Sequence, residues 1–159
     1  MCDLLLVAEE EITKRIVERF PETKLELSAP NRIDLVVALR YLPALAIYLR
    51  DTEGFDHVTS VTGTDYPSKC LVTVTYHLGA YAKLAIRRLV LSISIDLPRQ
   101  DTKMPSLSLI WPSAEYHERE THEMIGVIFQ DHPNLNLLLL PEDWKDPPPL
   151  RKDFKLRGR

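Results

Sequence analysis

The sequence predicts an α+β fold: a mixed, mostly antiparallel sheet with helices packed on one face, followed by an extended C-terminal tail. Three observations carry this prediction. Apolar residues recur at helical spacing near the start of the chain, the middle is dense in Val, Ile and Thr with short interruptions, and the last third is punctuated by prolines. Short interruptions imply antiparallel neighbours, because a parallel crossover needs about a dozen residues or more. A chain of 159 residues, 45% hydrophobic and 27% charged, has the size and composition of one soluble globular domain. We divide it into an α+β part, residues 1–110, and a signature helix with an extended docking tail, residues 111–159, both belonging to the same single domain.

Residues 4–20 place Leu5, Ala8, Ile12, Ile16 and Phe20 on one helical stripe, with Asp3 as a cap and Pro21 as a stop. Leu25 and Leu27 alternate with polar residues before Ala29-Pro30-Asn31, and Ile33, Leu35 and Val37 alternate after it, which predicts a hairpin. Pro43 suits the first turn of a second helix whose buried side carries Leu42, Leu45, Ala46 and Leu49. Strands are predicted over 58–64, 70–77 and 84–95, separated by Asp65-Tyr66-Pro67-Ser68 and by His77-Leu78-Gly79-Ala80. A short helical turn is expected over 105–110. Ser113 is placed to cap a helix over 114–125, with Glu115 near its positive end and Gly126 just beyond its last turn. On that helix Ala114, Thr121, Met124 and Ile125 share a face, while Glu118, Arg119, Glu120 and Glu123 make a charged remainder. Beyond Gly126 the chain is extended, since Pro133, Pro141 and Pro147 to Pro149 forbid helix and confine any strand to an edge.

Composition excludes several function classes. With 20 Lys and Arg interspersed among 23 Asp and Glu, the formal charge is -3, and there is no basic patch of the kind nucleic acid requires. The local cationic end formed by Arg151, Lys152, Lys155, Arg157 and Arg159 is too slight to imply an anionic membrane. No stretch reaches the roughly 20 apolar residues of a membrane-spanning helix. The longest apolar run, 36–49, is broken by Arg40 and Pro43. The acidic N-terminus does not read as an export signal. Cys2 and Cys70 belong to no CxxC, so neither a zinc site nor an iron–sulfur cluster is expected, and Cys70 at a strand start reads as a buried, inert thiol in a reducing setting.

His117, Glu118, Glu120, His122 and Glu123 are the first place to seek a metal. A zinc-protease helix needs HExxH so that both histidines share a face. Here the histidines are five apart and diverge by about 140° on a helix. A stand-alone metal-dependent enzyme using His117, Glu118 and His122 is therefore the weaker alternative. Glycines are too scattered for a phosphate loop, Ser92 and Ser94 read as one face of a strand, and the adjacent Glu142 and Asp143 point apart. No catalytic, cofactor-binding or metal residue is assigned. The tail carries Leu135, a leucine run from 137 to 140, and the large rings of Trp144 and Phe154. Such residues mark a contact surface in preference to a tail that only wraps its own domain.

The order of residues in this last third carries a resemblance. Trp111-Pro112, Glu118-Arg119-Glu120, Met124 with Gly126, Phe129, His132-Pro133-x-Leu135, Leu140-Pro141-x-Asp143-Trp144 and Leu150-Arg151-Lys152-Asp153-Phe154 resemble the signature of the thirty-kilodalton subunit of respiratory complex I. That family includes the related subunit of membrane-bound NiFe hydrogenase complexes. The resemblance implies a non-catalytic structural subunit of the hydrophilic arm, on the cytoplasmic side of the membrane and peripheral to it. It implies that the chain binds no cofactor, with iron–sulfur clusters, and any NiFe centre, residing in partner subunits. The implied partners are the large NiFe-hydrogenase-like subunit and other hydrophilic-arm subunits. Carried over by position, the docking residues are Glu118, Arg119, Glu120, His132, Pro133, Asp143, Trp144, Leu150, Arg151, Lys152, Asp153 and Phe154. Thr121-His122, Asn136 and the Lys145-Asp146-Pro147-Pro148-Pro149 link depart from the complex I pattern. These departures tilt the expectation towards a ferredoxin-linked, membrane-bound hydrogenase type, with an NADH- or other donor:quinone oxidoreductase as the alternative.

Overall fold

The computed structural model describes residues 2–155, with side chains described from residue 9 onward except at 27 and 28. The stripe positions Leu5 and Ala8, the strand position Leu27, the thiol of Cys2 and the closing Arg157 and Arg159 lie outside the described residues. The chain runs α1 (Cys2–Arg19), β1 (Lys24–Ala29), β2 (Arg32–Val36), α2 (Leu42–Tyr48), β3 (His57–Tyr66), β4 (Leu71–Gly79), β5 (Val90–Pro98), β6 (Lys103–Pro105), α3 (Ala114–Ile125) and β7 (Ile128–Gln130). Five strands form one sheet in the order β1-β2-β5-β4-β3. All pairings are antiparallel except β2 with β5, so the sheet is mixed and mostly antiparallel, as expected. The parallel pair arises because α2 and the β3–β4 hairpin intervene between β2 and β5, giving the chain the length a crossover needs.

Strand alternation sorts the two faces of the sheet. Ile33 and Leu35 of β2, Val72, Val74, Tyr76 and Leu78 of β4, and Leu91, Ile93, Ile95 and Leu97 of β5 are buried together with Ile12, Ile16 and Phe20 of α1, Leu42, Leu45 and Ala46 of α2, and Ala114 and Ile125 of α3. The opposite face carries Thr62, Thr73, Thr75, Ser94 and Asp96. There Thr75 and Ser94 share a hydroxyl hydrogen bond of 2.8 Å, and Thr73 donates to Asp96 at 2.6 Å. A β-rich middle that alternates so regularly can bury one face and hydrate the other.

Several local expectations are corrected. α1 begins at Cys2, which places Asp3 inside the helix and not at its cap. The strand expected over 84–95 begins only at Val90, because Leu84–Ile86 form a 3-10 turn that sends Ile86 and Leu89 into the core. β3 and β4 each run further than expected, to Tyr66 and Gly79, since the hairpin pairs to its ends. Cys70 is exposed and stands outside the ladder, at a left-handed corner with φ of 53° that sets the turn into β4. Pro105 belongs to β6, and the helical turn comes one step later, where Ile110 and Trp111 both donate to the Leu107 carbonyl. Ser113 has helical backbone angles, and its hydroxyl accepts from Val58 N at 2.9 Å without capping α3, so it ties the start of the helix to β3. After Gly126 the chain makes the short strand β7, parallel to β6.

The tightest contact between layers is α3 against β3. A Cβ at Gly63 would stand 2.9 Å from Ile125 Cγ1 and 3.0 Å from Thr121 Cγ2, so glycine sets how closely the helix lies on the strand. Trp111, buried just before α3, fixes the approach by donating its indole N–H to the Phe55 carbonyl at 2.8 Å. We predict that Gly63→Val lifts α3 and costs about 1–3 kcal/mol by overpacking. Urea unfolding checks the loss, and hydrogen exchange at the Leu138 to Leu140 amides reports whether the tail loosens with the helix.

Candidate functional site

α3 lies between the sheet and the tail, and its charges serve both sides. Ala114, Glu118, Thr121 and Ile125 are spaced by four, three and four, so they form one stripe, and all four are buried against the sheet. Glu118 therefore sits inside the core face. Its Oε1 accepts from the Tyr76 hydroxyl and from Leu107 N, both at 2.8 Å, and its Oε2 accepts from Ser106 at 2.5 Å. Burial pushes the Glu118 carboxyl above its usual range, while Ser106, Leu107 and Tyr76 pull it back. His132 stands 3.8 Å away, its side chain fully buried, donating from Nε2 to the Glu115 carbonyl and accepting from Asn134 N at Nδ1.

Arg119 and Glu123, one turn apart, hold the backbone of the leucine run. Arg119 donates to the carbonyls of Asn136 and Leu137 at 3.1–3.2 Å. Glu123 accepts from Leu138 N at 2.6 Å, from Leu139 N at 3.0 Å, and from Leu140 N. Burial opposes the Glu123 charge, yet those N–H groups and Arg119 hold its carboxyl below the usual range. This arrangement satisfies both backbone polarities of a segment that has no strand neighbour. Leu138 and Leu139 then turn outward, 38% and 62% exposed, while Leu137 and Leu140 stay half-buried.

The end of the tail is fastened at the far end of the hairpin. Asp65, buried on β3, receives a two-pronged hydrogen bond from Arg99 at 2.7 and 3.0 Å and the backbone N–H of Lys152 at 2.9 Å. The Arg99 guanidinium, and next the Lys152 N–H, hold Asp65 down at about 2. Arg99 also pairs with Asp153 at 2.8 Å. Arg151 donates to the Ile125 and Arg99 carbonyls, and Leu150 N donates to the Met124 carbonyl at 2.9 Å. The rings of Trp144 and Phe154 meet with centroids 6.2 Å apart, closing the loop between them.

The sequence-derived residues thus separate into two sets. Glu118 and the His132 side chain are buried in their own chain, which corrects the reading of Glu118 as part of an exposed charged face. Arg119, Arg151 and Asp153 hold the tail to the domain, as does the Lys152 N–H, while Trp144 and Phe154 hold each other. Glu120, Pro133, Asp143 and Leu150 are exposed, Leu150 by 60%. His117, Glu118 and His122 do not converge: Glu118 points to Tyr76, and His122 Nδ1 donates to the Val127 carbonyl at 2.6 Å. Among the described residues no three His, Cys, Asp or Glu side chains group as metal ligands. Sequence reasoning missed Asp65, Arg99 and the role of Glu123. The spacing of Glu118 with Ala114, Thr121 and Ile125 was a usable signal for its burial. Asp65 and Arg99, separated by 34 positions, left none.

Fold and site together define a class, an α+β domain whose C-terminal strap is pinned by buried carboxylates and presents leucines outward. The chain belongs to the family described as "Respiratory-chain NADH dehydrogenase, 30 Kd subunit", whose family model matches residues 35–159. It is 34% identical over 146 residues to a subunit of the F(420)H(2) dehydrogenase of Methanosarcina mazei, covering 91% of this chain and 90% of that protein. It is 37% identical over 123 residues to a subunit of the NADH-quinone oxidoreductase of Moorella thermoacetica, covering 77% and 80%. A chain from the structure of the membrane-bound sulfane sulfur reductase, described as an archaeal respiratory membrane complex, shares the fold with a TM-score of 0.77 at 24% identity over 93% of this chain and 86% of that one.

The pinned strap makes stability depend on pH and on buried donors. Because the folded Asp65 carboxyl lies below its ordinary 3.8, its contribution to stability is present above that pH and is lost as pH falls towards about 2. Asp65→Asn removes this pH dependence and speeds exchange of the Lys152 amide, as hydrogen-exchange mass spectrometry can read. Glu118→Leu leaves buried donors on Tyr76, Ser106 and Leu107 unmatched, at about 1–3 kcal/mol each before relaxation. Glu118→Gln retains one acceptor and is the milder change in thermal unfolding.

Proposed function

We propose that this chain is a non-catalytic structural subunit of the hydrophilic arm of a complex I-like, membrane-associated oxidoreductase, docking through its strap on the large NiFe-hydrogenase-like subunit. The observation that carries this reading is the strap itself. Its backbone is held by Arg119, Glu123 and Asp65, so its conformation is set before any partner arrives, and Leu138, Leu139 and Leu150 stay exposed. A preordered apolar surface binds with less ordering entropy than a flexible tail. Family membership and the names of the relatives support a place among respiratory subunits. On this reading the chain binds no cofactor, the iron–sulfur clusters and any NiFe centre lie in partner subunits, and the chain sits peripherally on the cytoplasmic side of the membrane.

Two finer readings concern the electron donor. The departures at Thr121-His122, Asn136 and the triple-proline link favour a ferredoxin-linked, membrane-bound hydrogenase type. The relative named for an NADH-quinone oxidoreductase favours the donor:quinone alternative, and the one named for an F(420)H(2) dehydrogenase points to a donor other than ferredoxin.

The expected result for Leu139→Asp combined with Leu150→Asp is a fall of about tenfold or more in co-purification with the large subunit. The melting temperature of the isolated chain stays within about 2 °C of the parent, because both side chains are on the surface. A collapse in melting temperature with association unchanged would return the strap to the domain core. Iron at one equivalent or more in the purified chain would refute its cofactor-free role.

A further inference from the structure

Residues 80–89 join β4 to β5 at the end of the sheet opposite the Asp65–Arg99 clasp. β4 enters beside Tyr66 and Pro98 and leaves beside His57. Its nine residues span about 30 Å. The connection is held firmly. Asp56 accepts from Tyr81 N at 2.9 Å and Ala82 N at 2.8 Å, and Lys83 Nζ donates to the Glu53 carbonyl at 2.9 Å. Glu53 is itself gripped by Arg15 and Tyr48. The Lys83 stem lies over Gly54, where a Cβ would come within 2.9 Å of its Cδ. Ile86 and Leu89 are buried as plugs.

This tethered loop presents two large side chains and two arginines to solvent. Leu84 is 77% exposed and Tyr81 58%, the latter edge-on to His57 with ring centroids 5.1 Å apart. Arg87 and Arg88 of the same loop are exposed. Arg15, Arg32, Arg50 and Arg99 each pair with a carboxylate, and Arg119 and Arg151 hold carbonyls. Arg87 and Arg88 have neither kind of partner among the described residues. Asp56 is committed to the loop's N–H groups and Glu53 to Arg15, while Glu9 accepts from Asn31 N at 2.6 Å.

We infer that this loop is a second docking surface, fitted to a carboxylate-rich segment of another protein subunit, with Leu84 and Tyr81 as apolar contacts and Arg87 and Arg88 as charge contacts. Charge complementarity selects this occupant, since arginine forks match carboxylates and Tyr and Arg are favoured interface anchors. An anionic membrane fits less well. It calls for clusters of about four to eight basic residues, whereas this loop has two free arginines and a tethered lysine. Loop and clasp lie at opposite ends of the strands, so the two surfaces can be tested separately.

The test uses the full chain in its native membrane complex, with p-benzoylphenylalanine placed at Leu84 and the photo-adduct mapped by mass spectrometry. The expected adduct lies on an acid-rich segment of another subunit and falls by about tenfold with the Arg87→Glu, Arg88→Glu double substitution, while the melting temperature of the chain is unchanged. An adduct that resists charge reversal, an adduct on lipid, or no adduct in a complex containing the chain overturns the inference. So does flotation of the parent chain with phosphatidylcholine–phosphatidylserine vesicles that the double substitution abolishes. Leu139→Asp, run in parallel, separates the two surfaces. If it alone lowers incorporation and no loop adduct forms, strap docking stands and this proposal fails, and if the loop adduct forms while Leu139→Asp changes nothing, the reverse holds.

Discussion

An extended, proline-rich segment cannot satisfy its own backbone, and this constraint organises the second half of the molecule. Residues 136–140 have no strand beside them, so their carbonyl and N–H groups need outside partners. α3 supplies them from one turn, with Arg119 taking carbonyls and Glu123 taking N–H groups. The helix can do this only because its other face is fixed on β3, where Gly63 permits close approach and Glu118 anchors to Tyr76 and the 106–107 segment. The strap inherits its position from the sheet through the helix.

Three buried carboxylates hold this hierarchy together in different electrostatic settings. Glu118, deep in the core, is pushed up by burial despite its donors, whereas Glu123 and Asp65 are pulled down by N–H groups and arginines. Each organises a different segment: Glu118 the turn before the helix, Glu123 the leucine run, and Asp65 the end of the strap. Leucines placed on such a support face outward by construction, which is how an apolar surface can be held ready without collapsing onto its own domain.

Much of the fold was legible because it depends on local periodicity. The stripe of Ile12, Ile16 and Phe20, the alternation of Ile33 and Leu35, and the helix from Ala114 to Ile125 all follow from which faces are apolar. Errors arose where a residue's backbone angles, not its side chain, decided its place. Cys70 looked like a strand residue but turns a left-handed corner, and Ser113 looked like a cap but is already helical. Leu84 looked like a strand start, yet the next buried residues are Ile86 and Leu89, a spacing that breaks alternation and makes a turn.

The sequence by itself determined the main helices and strands, the one-sided sheet, the extended tail and the family, since periodicity, proline placement and motif order are properties of neighbours along the chain. Tertiary structure alone decided which tail residues face inward and which face out. Arg151 and Asp153 belong to the clasp and Leu139 and Leu150 to the surface, because Asp65, Arg99 and Glu123 come to meet them from elsewhere in the chain. Whether a charged or apolar residue in an irregular segment is a fastener or a contact depends on what stands opposite it across space, and no spacing along the chain encodes that.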